Sequence, residues 1–318
     1  MANAPTWDLL VRGGTVFDGH GGTPVREDVA IADGRVVARG LDLPTDQARE
    51  VVDATGRWVL PGLLDIHTHV DLECEVDPGL SEVVRHGTTT TVMSNCSLGL
   101  AFGNQRTPDQ DPIVDCFARV ENIPKHVLEA VAEKAVWTDP RGYLDHLGTL
   151  PLGANVVPML PHSMLRTEVM GLADSISRDP TEADISAMER ILEDAMEAGY
   201  VGFSTDALPF HYLANDPNRQ KKIPTQWTTR EELSRLVEVL RRHDRVWQAT
   251  PPKDSPPETI ATFLLARGRG RSRPVRLTAV AALDVESNRG QRLHHEVAAD
   301  GLRVHDAAEQ LRQPEQTA

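Results

Sequence analysis

Two histidines, His67 and His69, stand two residues apart in the segment LPGLLDIHTHV, directly after an apolar run. Side chains at positions i and i+2 of a β-strand point to the same face, so both imidazoles can meet one ion at the carboxyl end of that strand. The pair therefore predicts a metal site. The alternative is two surface histidines whose hydrogen bonds are satisfied by solvent.

A cysteine, Cys96, follows a second apolar run at residues 88–94. Parallel strands that lie side by side share one carboxyl edge, which places the Cys96 sulfur beside the histidine pair. Thiolate and imidazole are ligands that zinc favours. A free cysteine is more often a small buried side chain of the core, and these residues alone leave both interpretations open. Neither Cys74 nor Cys116 is assigned a function.

Three further polar residues follow later predicted strands: His162 and Arg166 in LPHSMLR, and His211 in ALPFHYLAN. We place them in loops that overlook the site and predict that they contact substrate, with metal ligation by either histidine as the alternative. A guanidinium can pair with a substrate carboxylate through two hydrogen bonds, although a solvated surface arginine would look the same in sequence. Asp71 is interpreted as a turn residue, or as a carboxylate that supports the metal ligands from behind.

The elements that must position these residues divide the chain. Between residues 7 and 58, short apolar runs are broken by Gly-Gly and Asp-Gly dipeptides, which is typical of hairpins in a small sheet. From residue 60, strands alternate with helices, which indicates a parallel sheet with right-handed crossovers. The predicted strands cover residues 60–66, 88–94, 154–160, 200–204, 245–249 and 275–282, and the predicted helices cover 79–86, 125–136, 181–198, 229–242 and 257–266.

Closing such units into a (β/α) barrel takes eight strands, and the sequence predicts six. The segment after residue 283 is polar, with only a weak helical pattern. It is either a polar C-terminal helix and tail or the point at which a barrel is cut short, and we favour the second. The expected organisation is a small β-domain over residues 1–60, an incomplete α/β barrel of the TIM type over 61–283, and a polar tail over 284–318.

The composition excludes several classes of protein. With 40% hydrophobic and 25% charged residues, the chain can bury a core. Its 33 Lys and Arg against 47 Asp and Glu give a net charge of −14 at pH 7, a sign that repels nucleic-acid phosphates. The sequence has no run of the ~18 apolar residues that span a membrane, no secretory signal pattern and too few cysteines for a disulfide framework. We expect a cytoplasmic protein that acts on a small molecule, binds neither nucleic acid nor membrane, and can form a homo-oligomer.

Several ordered motifs give the chain a family resemblance. They are DLLVRGGTVFDG, EDVAIADGRVVARG, VDATGRWVLPGLLDIHTH, HGTTTTVMSNCSLGLAF, LPHSMLR and MEAGYVGFSTD. Together they resemble the amidohydrolase superfamily and, within it, the N-acyl-D-amino-acid deacylase (D-aminoacylase) group. The resemblance implies a metal-dependent hydrolase barrel preceded by a small β-sandwich, zinc or a similar divalent ion as cofactor, and Cys96 as a metal ligand beside His67 and His69.

The resemblance also shows which family residues are missing. The family supplies a histidine from the fifth barrel strand, a histidine from the sixth and an aspartate from the eighth that shuttles protons. Here the fifth strand reads RVWQATPP, with Gln248 near the expected position, and the sixth has no histidine. No eighth strand is predicted, and no residue is identified as the proton shuttle.

The predicted function is metal-dependent hydrolysis of a non-peptide carbon–nitrogen bond in an N-acyl-D-amino-acid-like substrate. One alternative is a truncated, non-catalytic relative of the deacylases that binds only a metal or a small molecule, and the missing histidines favour it. A second alternative is a hydrolase of cyclic amides, such as a hydantoinase or dihydroorotase, and the SNC motif argues against it.

Overall fold

The N-terminal runs form one sheet. In the computed structural model, which describes residues 5–107, 110–252, 255–268 and 273–280, the chain divides into two compact units, the first ending at Leu63 and the second beginning at Leu64. The first unit contains β1 (Trp7–Val16), β2 (Val25–Ala32), β3 (Arg35–Gly40), β4 (Ala48–Asp53) and β5 (Trp58–Val59). The strand order is β3-β2-β1-β4, and β5 also pairs with β1.

Turn chemistry explains the hairpin between β2 and β3. Asp33 and Gly34 have positive φ angles of 49° and 68°, the combination that a type I′ turn requires. The Asp-Gly dipeptide is therefore a sound predictor of this hairpin. The described strands of the unit make a single sheet, so the second layer of the expected sandwich stays a prediction.

The second sheet follows the order of the chain. Its strands are β6 (Leu63–Asp65), β7 (Thr88–Met93), β8 (Asn155–Pro161), β9 (Gly202–Asp206), β10 (Val246–Thr250) and β11 (Arg276–Ala279). The pairs from β7 to β11 are parallel. All six strands predicted from the sequence are present, with shifted ends. Six strands in chain order form a curled part of a (β/α) barrel sheet, as expected.

Helices connect these strands. Those in the described residues are α1 (Glu73–Val76), α2 (Ser81–Arg85), α3 (Pro112–Val120), α4 (Lys125–Ala132), α5 (Pro140–Leu147), α6 (His162–Met170), α7 (Leu172–Ser175), α8 (Glu182–Ala198), α9 (Arg230–His243) and α10 (Pro256–Arg267). The five predicted helices are found as α2, α4, α8, α9 and α10. None of the helices in the described part of the chain is long and apolar enough to cross a membrane.

The helix α8 shows how local sequence sets these elements. Thr181 and Asp184 form a reciprocal capping box at its start, and Gly199 ends it. Its apolar stripe packs into the core of the second unit through five buried side chains: Ile185, Met188, Leu192, Ala195 and Met196.

The sequence prediction missed α1, α3, α5, α6 and α7, and the sequence does contain a start signal for α3 and α5. Asp111 and Asp139 cap them by accepting the N–H of Val114 and Gly142, and a proline follows each aspartate. An N-cap aspartate followed by proline is a helix start signal. The two helices have nine and eight residues, too few for a clear periodic pattern. The predicted tail over 284–318 lies outside the described residues.

We expect Gly202→Ala to destabilise the sheet. A Cβ at Gly202 would lie 2.0 Å from the carbonyl oxygen of Val246 on the neighbouring strand, and backbone in a parallel sheet cannot easily give way. The free energy of unfolding, measured by chemical denaturation, should fall by about 1–3 kcal/mol. Gly40→Ala is the control, because its nearest contact would be an ordinary 3.8 Å to Leu43. Equal unfolding midpoints for the two variants would contradict this packing.

Candidate metal centre

His67, His69 and Cys96 meet at one end of the parallel sheet. The histidines follow β6 in a segment held against β7, where Thr68 N–H donates to the Val92 carbonyl at 3.0 Å. One possible ligand atom from each of the three residues lies within 4.8 Å of the others. Cys96 Sγ is 3.3 Å from His67 Nε2. The structure thus brings together the three residues that the sequence predicts as metal ligands.

The protonation chemistry of these donors fits a metal ion. Burial lowers the pKa of His67, and burial together with the charges of His67 and His211 lowers the pKa of His69 to about 4. Both imidazoles are therefore neutral at pH 7, the form that binds metals. Burial raises the pKa of Cys96 to about 12, so the thiol needs a nearby cation to become a thiolate.

An unpaired nitrogen marks the same place. His69 Nδ1 is buried and has no hydrogen-bond partner among the described residues, while His69 Nε2 lies 3.5 Å from Glu121 Oε1. A buried polar atom without a partner is destabilising, and an ion on Nδ1 would satisfy it. Two nitrogens and one sulfur are a ligand set typical of zinc, so the residues present fit that ion. Sequence reasoning missed Glu121 because it caps α3, which was not predicted.

The turn that carries Cys96, residues 94–97, has an unusual backbone. The φ angles of Ser94, Cys96 and Ser97 are 61°, 49° and 66°. Such angles are unfavourable for residues other than glycine, so surrounding contacts must hold the turn. One contact comes from Gln248 on β10, whose Oε1 accepts the Cys96 N–H at 2.7 Å.

Ser204 and Asp71 hold the rest of this turn. Ser204 Oγ accepts the Ser97 N–H at 3.1 Å and donates to the Ser94 carbonyl at 2.6 Å. Asp71 accepts from both the N–H and the hydroxyl of Ser94. Asp71 is fully buried, and burial raises its pKa to about 6 despite these bonds. Asp71 therefore supports the turn that carries Cys96, and its role behind metal ligands stays a prediction.

His211 is held by Asp206 and acts electrostatically on His69. The His211 Nδ1 is 2.8 Å from Asp206 Oδ2, and the His211 charge contributes to the lowered pKa of His69. Asp206 is the last residue of β9 and is buried, which raises its pKa despite the bond to His211. Sequence reasoning missed Asp206, although the carboxyl end of a barrel strand is where functional residues gather.

The loop placement predicted for His162 and Arg166 is wrong. Both residues lie on α6 with fully buried side chains. His162 Nε2 is 2.9 Å from Glu232 Oε1, and Arg166 Nη1 donates to Glu232 Oε2. Burial alone would raise the pKa of Glu232, but the two partners lower it to about 2. The cluster ties α6 to α9, and the predicted substrate contact finds no support in these bonds.

The chain is similar to known proteins in both sequence and structure. Residues 50–313 match the model of the amidohydrolase family. The chain belongs to this family. The amidohydrolase is 39% identical over 289 residues to an uncharacterized protein of Mycobacterium tuberculosis, an alignment that covers 89% of this chain and 46% of the relative. It is 33% identical over 199 residues to N-acyl-D-aspartate deacylase of Alcaligenes xylosoxydans xylosoxydans, covering 62% of this chain and 36% of that enzyme.

A solved D-aminoacylase shares the fold. Its structure was described for the functional role of its binuclear metal centre, with one-metal activation and second-metal attenuation. The TM-score is 0.61 and the identity 27%, over 82% of the amidohydrolase and 49% of that chain. The amidohydrolase therefore matches about half or less of the length of these relatives.

Cys96→Ser should lower zinc affinity by about tenfold or more, because it removes the soft sulfur donor and keeps the size of the side chain. Cys116→Ser is the matched control, since Cys116 is also buried but belongs to the apolar core. Both changes place a hydroxyl in a buried site and should lower thermal stability, so zinc affinity from chelator competition separates them. Unchanged zinc affinity in Cys96→Ser would show that Cys96 only packs.

Glu232→Gln should destabilise the protein by about 3–5 kcal/mol, because it leaves the buried Arg166 charge unpaired. Folding lowers the pKa of both Glu232 and His162, so the folded protein binds fewer protons than the unfolded chain. Wild-type stability should therefore fall as the pH drops below about 6.5, and part of that dependence should vanish in Glu232→Gln. Urea unfolding between pH 4 and pH 8 measures both effects.

The control for this substitution is Glu182→Gln, which removes an exposed carboxylate that pairs with Arg235. Solvent screens that pair, so its loss should change stability little. If the two variants unfold at the same urea concentration, the buried cluster does not stabilise the fold.

Proposed function

We propose that this amidohydrolase hydrolyses the carbon–nitrogen bond of N-acyl-D-amino-acid-like substrates with a divalent ion, zinc, held by His67, His69 and Cys96. The observation that carries the proposal is the convergence of these three donors within 4.8 Å at the carboxyl edge of the barrel sheet. Active sites of such barrels lie at that edge.

The relatives support the class of reaction. N-acyl-D-aspartate deacylase acts on an N-acyl-D-amino acid by its name, and D-aminoacylase has a metal centre that one metal activates. The alternative of cyclic-amide hydrolysis has no comparable support, because the cyclic-amide relative at 38% identity, a dihydroorotase, matches only 27% of this chain.

Each residue of the site has a separate role. A bound divalent ion supplies Lewis acidity, which polarises a carbonyl group and makes water more acidic. His67 and His69 offer neutral nitrogen, and Cys96 offers sulfur and a negative charge. His211 donates its Nδ1 proton to Asp206, because an ionised carboxylate only accepts. This bond leaves His211 Nε2 for a substrate, in keeping with the predicted substrate contact.

Gln248 has a different role from the metal ligand that the family supplies on the fifth barrel strand. Its side-chain oxygen accepts from the Cys96 N–H at 2.7 Å, and its side-chain nitrogen donates to Thr250 at 3.0 Å. The described residues therefore offer one three-donor centre. We propose that one ion at this centre is sufficient for the reaction.

The direct test is release of free amino acid from N-acetyl-D-aspartate, N-acetyl-D-glutamate and N-acetyl-D-leucine, with their L-enantiomers and dihydroorotate as comparison substrates. Activity should require a divalent ion, disappear with a chelator and return with zinc. The double variant His67→Ala/His69→Ala should have neither metal nor activity.

Two other results would contradict the proposal. Stoichiometric zinc without any hydrolysis would favour the non-catalytic relative. Turnover of dihydroorotate in place of the acyl amino acids would assign the protein to the cyclic-amide hydrolases.

A further inference from the structure

Gln248 makes hydrogen bonds in two directions from a fully buried position on β10. Its Oε1 accepts the backbone N–H of Cys96 at 2.7 Å, and its Nε2 donates to Thr250 Oγ1 at 3.0 Å. A backbone N–H can only donate, so the side-chain atom that faces it must be the amide oxygen. This fixes the orientation of the amide and directs its NH2 group to Thr250.

The bond from Gln248 determines what the Thr250 hydroxyl can do. Because Thr250 Oγ1 already accepts from Gln248, its single proton is available for another acceptor. Cys96 Sγ lies 3.5 Å from Thr250 Oγ1, within the range of a hydrogen bond to sulfur. Thr250 is 1% exposed, so solvent does not compete for this proton. A thiolate only accepts hydrogen bonds, so with Cys96 in the form that binds a metal the hydroxyl donates to the sulfur.

We propose that Gln248 and Thr250 are positioning residues of the metal centre. Gln248 holds the backbone of Cys96 at its positive φ, and Thr250 donates a hydrogen bond to the same sulfur that binds the ion. The inference rests on the proposed metal site. Together the two residues aim Cys96 Sγ toward His67 Nε2, 3.3 Å away. Partners that orient a metal ligand typically change metal affinity by about 10- to 100-fold.

If Thr250 had only a structural role, its substitution would change stability and leave metal binding unchanged. Thr205 on β9 provides the comparison. Thr205 is also a buried threonine with two hydrogen bonds: its Oγ1 donates to the Gln248 carbonyl at 3.3 Å and accepts from Trp247 Nε1 at 3.0 Å. It has no hydrogen bond to Cys96 among the described contacts. Thr205→Val thus removes a buried hydroxyl from the neighbouring strand without touching the ligand sulfur.

The experiment uses the full chain loaded with Co²⁺, which reports on sulfur ligation through a sulfur-to-cobalt charge-transfer band. Thr250→Val should weaken Co²⁺ and Zn²⁺ binding by about 10-fold or more. It should also shift the band to longer wavelength, because the hydrogen bond that stabilised the sulfur lone pair is gone. Thr250→Ser restores the hydroxyl and should restore both properties. Thr205→Val should lower the melting temperature but leave the affinity and the band unchanged.

Gln248→Met is the second variant, and it removes both bonds of the amide at similar side-chain volume. Its metal affinity should fall at least as far as that of Thr250→Val. If Thr250→Val and Gln248→Met bind Co²⁺ with wild-type affinity and an unshifted band, the inference is overturned while the metal site stands. If the wild-type protein binds no Co²⁺ through sulfur, the proposed metal site fails and the inference fails with it.

Discussion

The proposed metal centre depends on the buried turn at residues 94–97. The strand β7 ends inside the protein, so the amides that follow it can reach neither water nor the sheet. Side chains bind them instead: Asp71 after β6, Ser204 on β9 and Gln248 on β10. These supports are distant in sequence, so the Cys96 sulfur is in place only when the sheet has assembled.

Two buried clusters of the second unit show opposite charge arrangements. Around Glu232, the chain supplies its own cation, Arg166, which pairs with the Glu232 carboxylate. His162 bonds to the same carboxylate, and the two partners keep the pKa of Glu232 low. Around Cys96, burial keeps the imidazoles neutral and the thiol protonated. The first cluster is complete as an ion pair and holds helices together. The second has donors without a cation of its own, which is the arrangement that a metal ion completes.

Local patterns in the sequence predict much of this structure. The six barrel strands and the longest helices follow from apolar periodicity and caps, and the spacing of His67 and His69 with the strand before Cys96 gave the three donors. The environment of His162 and Arg166 could not be predicted, because their partner Glu232 lies 70 and 66 residues away in the chain. Glu121 was missed because the short helix that it caps was not predicted. The hydrogen bonds of Gln248 could not be predicted because they depend on the register of the strands.

X-ray absorption at the zinc edge of the purified protein tests the central claim most directly, because it counts sulfur and nitrogen neighbours of the ion. The account predicts one sulfur at about 2.3 Å and two imidazole nitrogens at about 2.0–2.1 Å. A spectrum with only oxygen and nitrogen neighbours would contradict it, since zinc would then lie away from Cys96.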